Sequence, residues 1–291
     1  MDVKTVFLNG NLEENVYMDQ PVCKLKKSIY GLKQASRQWY LKFNDTIMSF
    51  EFKENIVDQC ICLKVSVSKF IFLILYVDDI LLATNNLGLL SETKKFLSNN
   101  FEMKDMGEAG YVIGIEIFCY KSQGLLSLSQ KEYINKVLER FIMDKCSASP
   151  VPIQKKDKFS LIQCPIWKAV KKVLRYLQGT KNHMLTYRRS DHLEVIGYTD
   201  SDFASCMDTR KSTFIYVYLL DGGAISWKSA KQSVIAASTM EAEFVACFEA
   251  TVQANWLRNF ISGLGVVDSI ARSLKIYCDH FAAILFSKKR C

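Results

Sequence analysis

Apolar positions recur along this chain with two periods. Between 30 and 50 they return every four residues, at Trp39, Phe43 and Ile47, which predicts an amphipathic helix with those side chains toward a core. From Phe70 to Ala83 the apolar run is interrupted only by Asp78 and Asp79, and it predicts two buried strands joined by a two-residue turn with the acids at its tip. Residues 1–10 read as a further apolar strand, opened by Asp2 and closed by the turn-forming pair Asn9 and Gly10. A helix from about 91 to 101 and strands over 111–118 and 124–128 follow. Ser129 and Glu132 have capping-box spacing, opening a helix with Tyr133, Val137, Leu138 and Phe141 on one side that ends before Ser147.

Pro150 and Pro152 make 147–164 the most linker-like segment and place a domain boundary there. Pro165 starts a helix with Val170, Val173, Leu174 and Leu177 on one face and Gly179 as its stop. Beyond it the pattern predicts strands over 184–189, 193–199, 213–219, 223–229 and 233–237, a long helix over 239–262, a strand over 274–278 and a helix over 281–287. The fold class is therefore α/β (α+β), with a mixed sheet packed by helices in the second half.

Composition narrows the function. A chain of 291 residues is long enough for two domains at about 150 residues each, and its 49% hydrophobic content is that of a globular protein. The start is charged at once, unlike a secretory leader, and the longest apolar run breaks well short of the ~20 residues a membrane helix requires. Ten cysteines are scattered without CxxC pairs, beside only three histidines, so most, such as Cys62, Cys119 and Cys247, read as small buried hydrophobes in a reducing, intracellular setting. The net charge of +8 favours a polyanionic partner. Its clusters are Lys24, Lys26 and Lys27 before a helix carrying Lys33, Arg37 and Lys42, and Lys168, Lys171, Lys172 and Arg175 on another. Each fits a solvated helix face or a phosphate-binding surface.

Asp78 and Asp79 carry the sharpest chemistry. Burying unpaired charge costs roughly several kcal/mol, so paired acids between oily strands suggest a cation, although a solvated turn also places Asp there. The run from Asp2 to Gly10, then Val16 to Pro21, Tyr30 to Ala35, and Tyr76 to Asp79 occur in an order that closely resembles the reverse transcriptase of copia-type long-terminal-repeat retrotransposons. Gly197 to Ala204, Ser238 to Phe244 and Ile276 to Asp279 resemble the ribonuclease H domain that follows it in the same Pol polyprotein.

The resemblance implies a partial right-hand polymerase, palm and thumb, over 1–146, a linker over 147–164, and a ribonuclease H-like mixed sheet with a connecting helix over 165–291. It implies an RNA-directed DNA polymerase with attached hybrid nuclease, both working by two-metal phosphoryl transfer. Asp2, Asp78 and Asp79 would be catalytic and metal-binding in the first site, Asp200, Glu243 and Asp279 in the second, each site holding two Mg²⁺ or Mn²⁺. Tyr76 would lie beside the primer end, Gly31 would let backbone approach a base pair, and Lys33 and Arg37 would contact phosphate. Glu243 is preferred to Glu241 because the run from Glu243 to Ala246 better matches the family's helix. Asp202 and Asp208 read as turn or capping acids, and His280 as a group beside Asp279 or a solvated loop residue.

The implied partners are an RNA template, a DNA primer, RNA–DNA hybrid and deoxynucleoside triphosphates, with no membrane. The implied location is intracellular, cytoplasm or nucleus. The chain departs from the family pattern at five places. A fingers subdomain is expected before Asp2. Shorter stretches are missing between Pro21 and Val22 and around Cys164 and Pro165. Bulkier residues stand at Phe214 and Ile215, and the family's last His-containing segment is expected beyond Cys291. Three readings therefore stay open: an active enzyme, an inactive element remnant, or a non-catalytic nucleic-acid-binding protein.

Overall fold

The computed structural model describes residues 1–10, 17–19, 22–24, 27–152, 166–190, 193–206, 209–265 and 274–280, with only the backbone at 17–19, 22–24 and 166. These residues divide into two compact units, Met1–Ala109 and Gly110–Cys291.

The first unit is a sheet carrying two helices. Its elements are β1 (Asp2–Val3), β2 (Tyr17–Asp19), β3 (Val22–Lys24), α1 (Ala35–Ser49), β4 (Lys53–Glu54), β5 (Ile61–Ser66), β6 (Lys69–Tyr76), β7 (Asp79–Thr84), α2 (Leu87–Asn100) and β8 (Met103–Lys104). β2 and β3 form their own hairpin; the rest order as β4-β5-β6-β7-β1-β8. Strand β6 alternates as pleating demands, burying Ile71, Leu73 and Leu75 on one face. Against them pack Trp39, Phe43 and Ile47 of α1 and Leu89 and Leu97 of α2. The expected helix face is thus the observed core face. The helix itself begins later than expected, because 30–34 form a turn in which Gly31 takes φ +93°.

Three local expectations need correction. The opening strand is two residues long: Thr5 turns left-handed at φ 50° and Val6–Asn9 wind into a 3-10 turn. Helix α2 starts four residues before Ser91, where the Asn86 side chain accepts from the Leu89 amide at 2.9 Å. The hairpin turn is Val77 and Asp78, since Tyr76 pairs with Asp79, so Asp79 opens β7 and does not sit at the tip.

The second unit contains β9 (Tyr111–Val112), β10 (Ile115–Tyr120), β11 (Leu125–Ser129), α3 (Lys131–Arg140), α4 (Ile166–Thr180), β12 (Leu185–Arg188), β13 (Val195–Asp202), β14 (Thr213–Leu220), β15 (Gly223–Lys231), α5 (Thr239–Leu264) and β16 (Lys275–Cys278). Two four-stranded sheets result, β12-β11-β10-β9 and β15-β14-β13-β16. The pairing of β11 with β12 joins residues on either side of 147–164, most of which lies outside the described residues.

Here too some expectations fail. Ser129 accepts from the Lys131 amide at 3.1 Å, two residues on, so the expected capping box does not form there. Gly179 lies inside α4, which runs to Thr180, and Val173 is exposed. No strand forms over 233–237, and the expected helix 281–287 lies outside the described residues.

The second sheet packs on α5 through an alanine row. Ala242, Ala246, Ala250 and Ala254 recur every four residues and are buried, so the helix can approach Phe214, Tyr216 and Tyr218 closely. The Tyr218 hydroxyl donates to the Ala250 carbonyl at 2.6 Å. Gly197, on the neighbouring strand, is required by that ring: an added Cβ would lie 2.5 Å from Tyr218 Cε1. The N-terminus of α5 is well capped. Ser238 accepts from the Glu241 amide at 3.2 Å, and Glu241 reaches back to the Ala237 amide at 2.7 Å.

Candidate active sites

In the first unit the sheet register gathers the acids. β1 lies antiparallel to β7 with Asp2 opposite Asp79, the Val3 amide donates to the Asp78 carbonyl at 2.9 Å, and the Ile80 amide donates to the Met1 carbonyl at 2.8 Å. Three carboxylates are therefore carried on adjoining strand ends. Asp78 and Asp79 are exposed and Asp2 half-buried. Like charges directly opposite on paired strands repel, a cost that a divalent cation would remove, but the oxygens of these three acids are not among the ligand atoms that lie within 4.8 Å of one another in the described residues.

The turn that carries Asp78 is strained. Val77 adopts φ 55°, a region that β-branched residues avoid, and costs of order 1–3 kcal/mol. Its carbonyl is held by the Trp39 indole N–H at 2.8 Å. Trp39 thus joins the core helix to the acidic tip, a role the periodicity assigned only to packing. Tyr76 is exposed beside that tip, Lys33 and Arg37 are exposed at the start of α1, and the Cβ direction of Gly31 is open. Lys42 is engaged locally, donating to the Asn9 carbonyl at 2.9 Å.

In the second unit β13 and β16 run parallel with Thr199 opposite Cys278, so Asp200 and Asp279 each lie one residue beyond a paired position. Glu243, in the first turns of α5, is 6% exposed, and its Oε1 accepts from the Ser201 amide at 3.1 Å. Burial pushes the Glu243 carboxyl above its ordinary range, and the charges of Asp200 and Asp279 push the same way. The Ser201 hydrogen bond and His280 pull it back. Glu243 and Asp279 offer oxygen donors suited to a hard divalent cation, while Asp200 lies outside the group gathered within 4.8 Å. Glu241, engaged in the helix cap, is not part of this group. Asp202 is exposed at the end of β13, and Asp208 lies outside the described residues.

Sequence reasoning missed three participants here. Cys278 points its Sγ at Glu243 Oε2, 3.9 Å away, and among the described residues Glu243, Cys278 and Asp279 are the group whose ligand atoms all lie within 4.8 Å of one another. Burial first, and then the neighbouring Cys278, push the Cys247 thiol up to about 12. Gln232, buried, donates to the Ala242 carbonyl at 2.8 Å and to Ser201 Oγ at 3.3 Å, tying the strand end to the helix that bears Glu243. No local motif marks these three residues.

The basic cluster on α4 is partly structural. Arg175 donates to the Ser147 carbonyl at 2.9 Å and to Ser147 Oγ at 2.6 Å, while the Lys171 ammonium lies 5.4 Å from the Trp167 ring centroid.

Residues 1–155 match the family described as Reverse transcriptase (RNA-dependent DNA polymerase), and the chain belongs to that family. It is 37% identical to the Retrovirus-related Pol polyprotein from transposon TNT 1-94 of Nicotiana tabacum over 99% of this chain and 26% of that protein. It is 30% identical to the Retrovirus-related Pol polyprotein from transposon RE1 of Arabidopsis thaliana over 97% of this chain and 23% of that protein. The Putative transposon Ty5-1 protein YCL074W of Saccharomyces cerevisiae is 26% identical over 87% of this chain and 100% of its own length. The chain spans about a quarter of the two plant Pol polyproteins it matches. The alignment with the tobacco protein runs over 349 positions against a chain of 291 residues, so that relative carries internal residues this chain lacks.

Proposed function

We propose that this chain is the polymerase and ribonuclease H portion of a copia-type retrotransposon Pol polyprotein, extending a DNA primer on an RNA template and cutting RNA–DNA hybrid. The observation that carries the reading is the register that sets Asp2 against Asp79, with Asp78 in the adjoining turn, inside a chain of the reverse transcriptase family. In this reading the polymerase palm and thumb span 1–146 and the hybrid nuclease lies within 165–291. It works inside the cell, in cytoplasm or nucleus.

Asp2, Asp78 and Asp79 would hold two Mg²⁺ or Mn²⁺ ions, and Asp200, Glu243 and Asp279 would hold a second pair. Such ions, when bound, lower the pKa of an attacking hydroxyl or water and stabilise charge on the leaving oxygen. The protein's own residues do the positioning. Trp39 fixes the turn that presents Asp78, and exposed Tyr76 offers a face for the primer-terminal base. Exposed Lys33 and Arg37 supply phosphate contacts, and Gly31 leaves room for the template–nucleotide pair. In the second site the Ser201 amide and Gln232 hold Glu243 and the end of β13 in place.

A second reading, a chain that keeps the fold and binds nucleic acid without polymerising, is favoured by the internal residues absent relative to the tobacco protein. Primer extension on an RNA template, run beside cleavage of an RNA–DNA hybrid with Mg²⁺ or Mn²⁺, separates the two. Extension lost in Asp78→Asn and cleavage lost in Asp200→Asn support the first reading. Salt-sensitive binding with neither activity supports the second, and the absence of both activities and binding rejects both.

A further inference from the structure

Two thiols that hard-metal chemistry does not use lie against the second acidic site. Cys247 stands one helical turn after Glu243 on α5, on the same side of the helix, and lies near Cys278 at the end of β16. Cys278 Sγ is 3.9 Å from Glu243 Oε2, and Asp279 follows in the chain. Oε1 of Glu243 is held by the Ser201 amide, which leaves Oε2 turned toward the sulfur.

We propose that Cys247, Cys278, Glu243 and Asp279 form a binding site for a soft divalent ion of the zinc type, distinct in chemistry from the all-oxygen site that shares two of its residues.

The geometry is close to what zinc requires. With Zn–S near 2.3 Å and Zn–O near 2.1 Å, a tetrahedral ion separates a sulfur and an oxygen ligand by about 3.6 Å. The Cys278–Glu243 separation of 3.9 Å needs a few tenths of an ångström to close, and the 4.8 Å limit on the three-residue group needs about one. Cys278, Glu243 and Asp279 supply three ligands as they stand, and Cys247, outside their 4.8 Å group, completes four-coordination with two sulfurs and two carboxylate oxygens when its side chain turns toward Cys278. Thiolate selects zinc or cadmium over magnesium, whereas carboxylates alone do not discriminate in that direction. Because Glu243 and Asp279 belong to both donor sets, a soft ion seated on the thiols withdraws them from Asp200. The two kinds of ion therefore exclude each other. The inference stands on the placement of these four residues and holds whether or not the acids cut nucleic acid.

The test uses the whole chain. Alkylation by iodoacetamide is followed at each cysteine by peptide mass spectrometry with and without Zn²⁺. At a free zinc concentration about ten times the dissociation constant, labelling of Cys247 and Cys278 falls roughly tenfold by mass action, while exposed Cys60 and Cys119 label at unchanged rates. Titration with Cd²⁺ gives the ultraviolet absorbance of cadmium–thiolate bonds, and Cys247→Ser with Cys278→Ser removes one equivalent of it. Equal labelling of Cys278 with and without zinc overturns the proposal, as does protection spread evenly over all the cysteines. The labelling arm uses the unaltered protein, so it decides the matter even where the double variant fails to fold by circular dichroism. Loss of hybrid cleavage in Asp200→Asn with zinc protection absent would keep the nuclease reading and reject this one.

Discussion

Asp2 and Asp79 face each other across antiparallel β1 and β7, two carboxylates at directly opposed positions of a sheet. Opposed like charges cost roughly 0.2–1 kcal/mol, so Asp2→Asn should raise the urea midpoint of the metal-free chain slightly at low ionic strength, and salt should erase the gain. The same substitution should lower RNA-templated primer extension by about 10²–10³-fold, the loss expected when one electrostatic stabiliser of a transition state is removed. A variant that loses stability and keeps extension would place the metal ligands elsewhere.

The hairpin tip invites a second pair of substitutions. Val77 is 48% exposed and holds φ 55°, so Val77→Asn loses little packing and relieves backbone strain. It should stabilise the chain by about 1 kcal/mol. Trp39→Phe removes the N–H that bonds the Val77 carbonyl and should cost about 1–2 kcal/mol. Chemical denaturation measures both. If the strain serves to aim Asp78, the more stable Val77→Asn protein is the poorer polymerase.

Much of this arrangement was legible in the chain. Trp39, Phe43 and Ile47 lie on one helix face by spacing alone, and the long β6–β7 hairpin follows from two apolar runs around a pair of acids. What escaped was set by tertiary contacts. The turn falls on Val77 and Asp78 in register with the Trp39 bond to the Val77 carbonyl, a partner 38 residues away. The strand expected over 233–237 is absent where buried Gln232 is tied to Ser201 and Ala242 and the α5 cap begins at Ala237. Asn86 was a readable cap, since apolar Leu87, Leu89 and Leu90 follow it, and the later Ser91 obscured it. Cys247 and Cys278 meet only because parallel pairing of β13 with β16 carries a distant strand to α5, and spacing holds no trace of that.

Glu243 links pH to stability. Its folded carboxyl binds a proton more tightly than an unfolded one, chiefly through burial and then through Asp200 and Asp279. The contribution is therefore most favourable below the ordinary carboxylate range and is lost as pH rises from there through the raised value. Glu243→Gln should flatten this slope and raise the melting temperature at neutral pH. Millimolar Mg²⁺ should raise the melting temperature of the unaltered chain more than that of Glu243→Gln, which keeps only the first acidic site. A wild-type slope of the opposite sign would mean the site already holds compensating positive charge.

Close packing of the second sheet makes Gly197 intolerant. An added methyl would meet the Tyr218 ring, whose hydroxyl is anchored on Ala250, so the ring cannot retreat without breaking that bond. Gly197→Ala should cost about 1–3 kcal/mol, the range for overpacking a tight core. Tyr218→Phe alone should cost about 1 kcal/mol through the lost hydrogen bond. Thermal or urea unfolding of both variants checks the order. Equal stabilities would show that the sheet and α5 part easily.

Nucleic-acid affinity gives the last test, because Lys33 and Arg37 are exposed at the start of α1 while Lys42 and Arg175 spend their charge on nearby carbonyls and a hydroxyl. Each phosphate contact adds about one unit to the slope of log affinity against log salt. Lys33→Ala with Arg37→Ala should therefore weaken primer–template binding and lower that slope by about 2. Lys42→Ala should change the slope by much less and act mainly through the Asn9 carbonyl it supports. Fluorescence anisotropy over a salt series measures both. A slope unchanged in the double variant would move the phosphate track off α1 and onto the remaining basic residues of the chain.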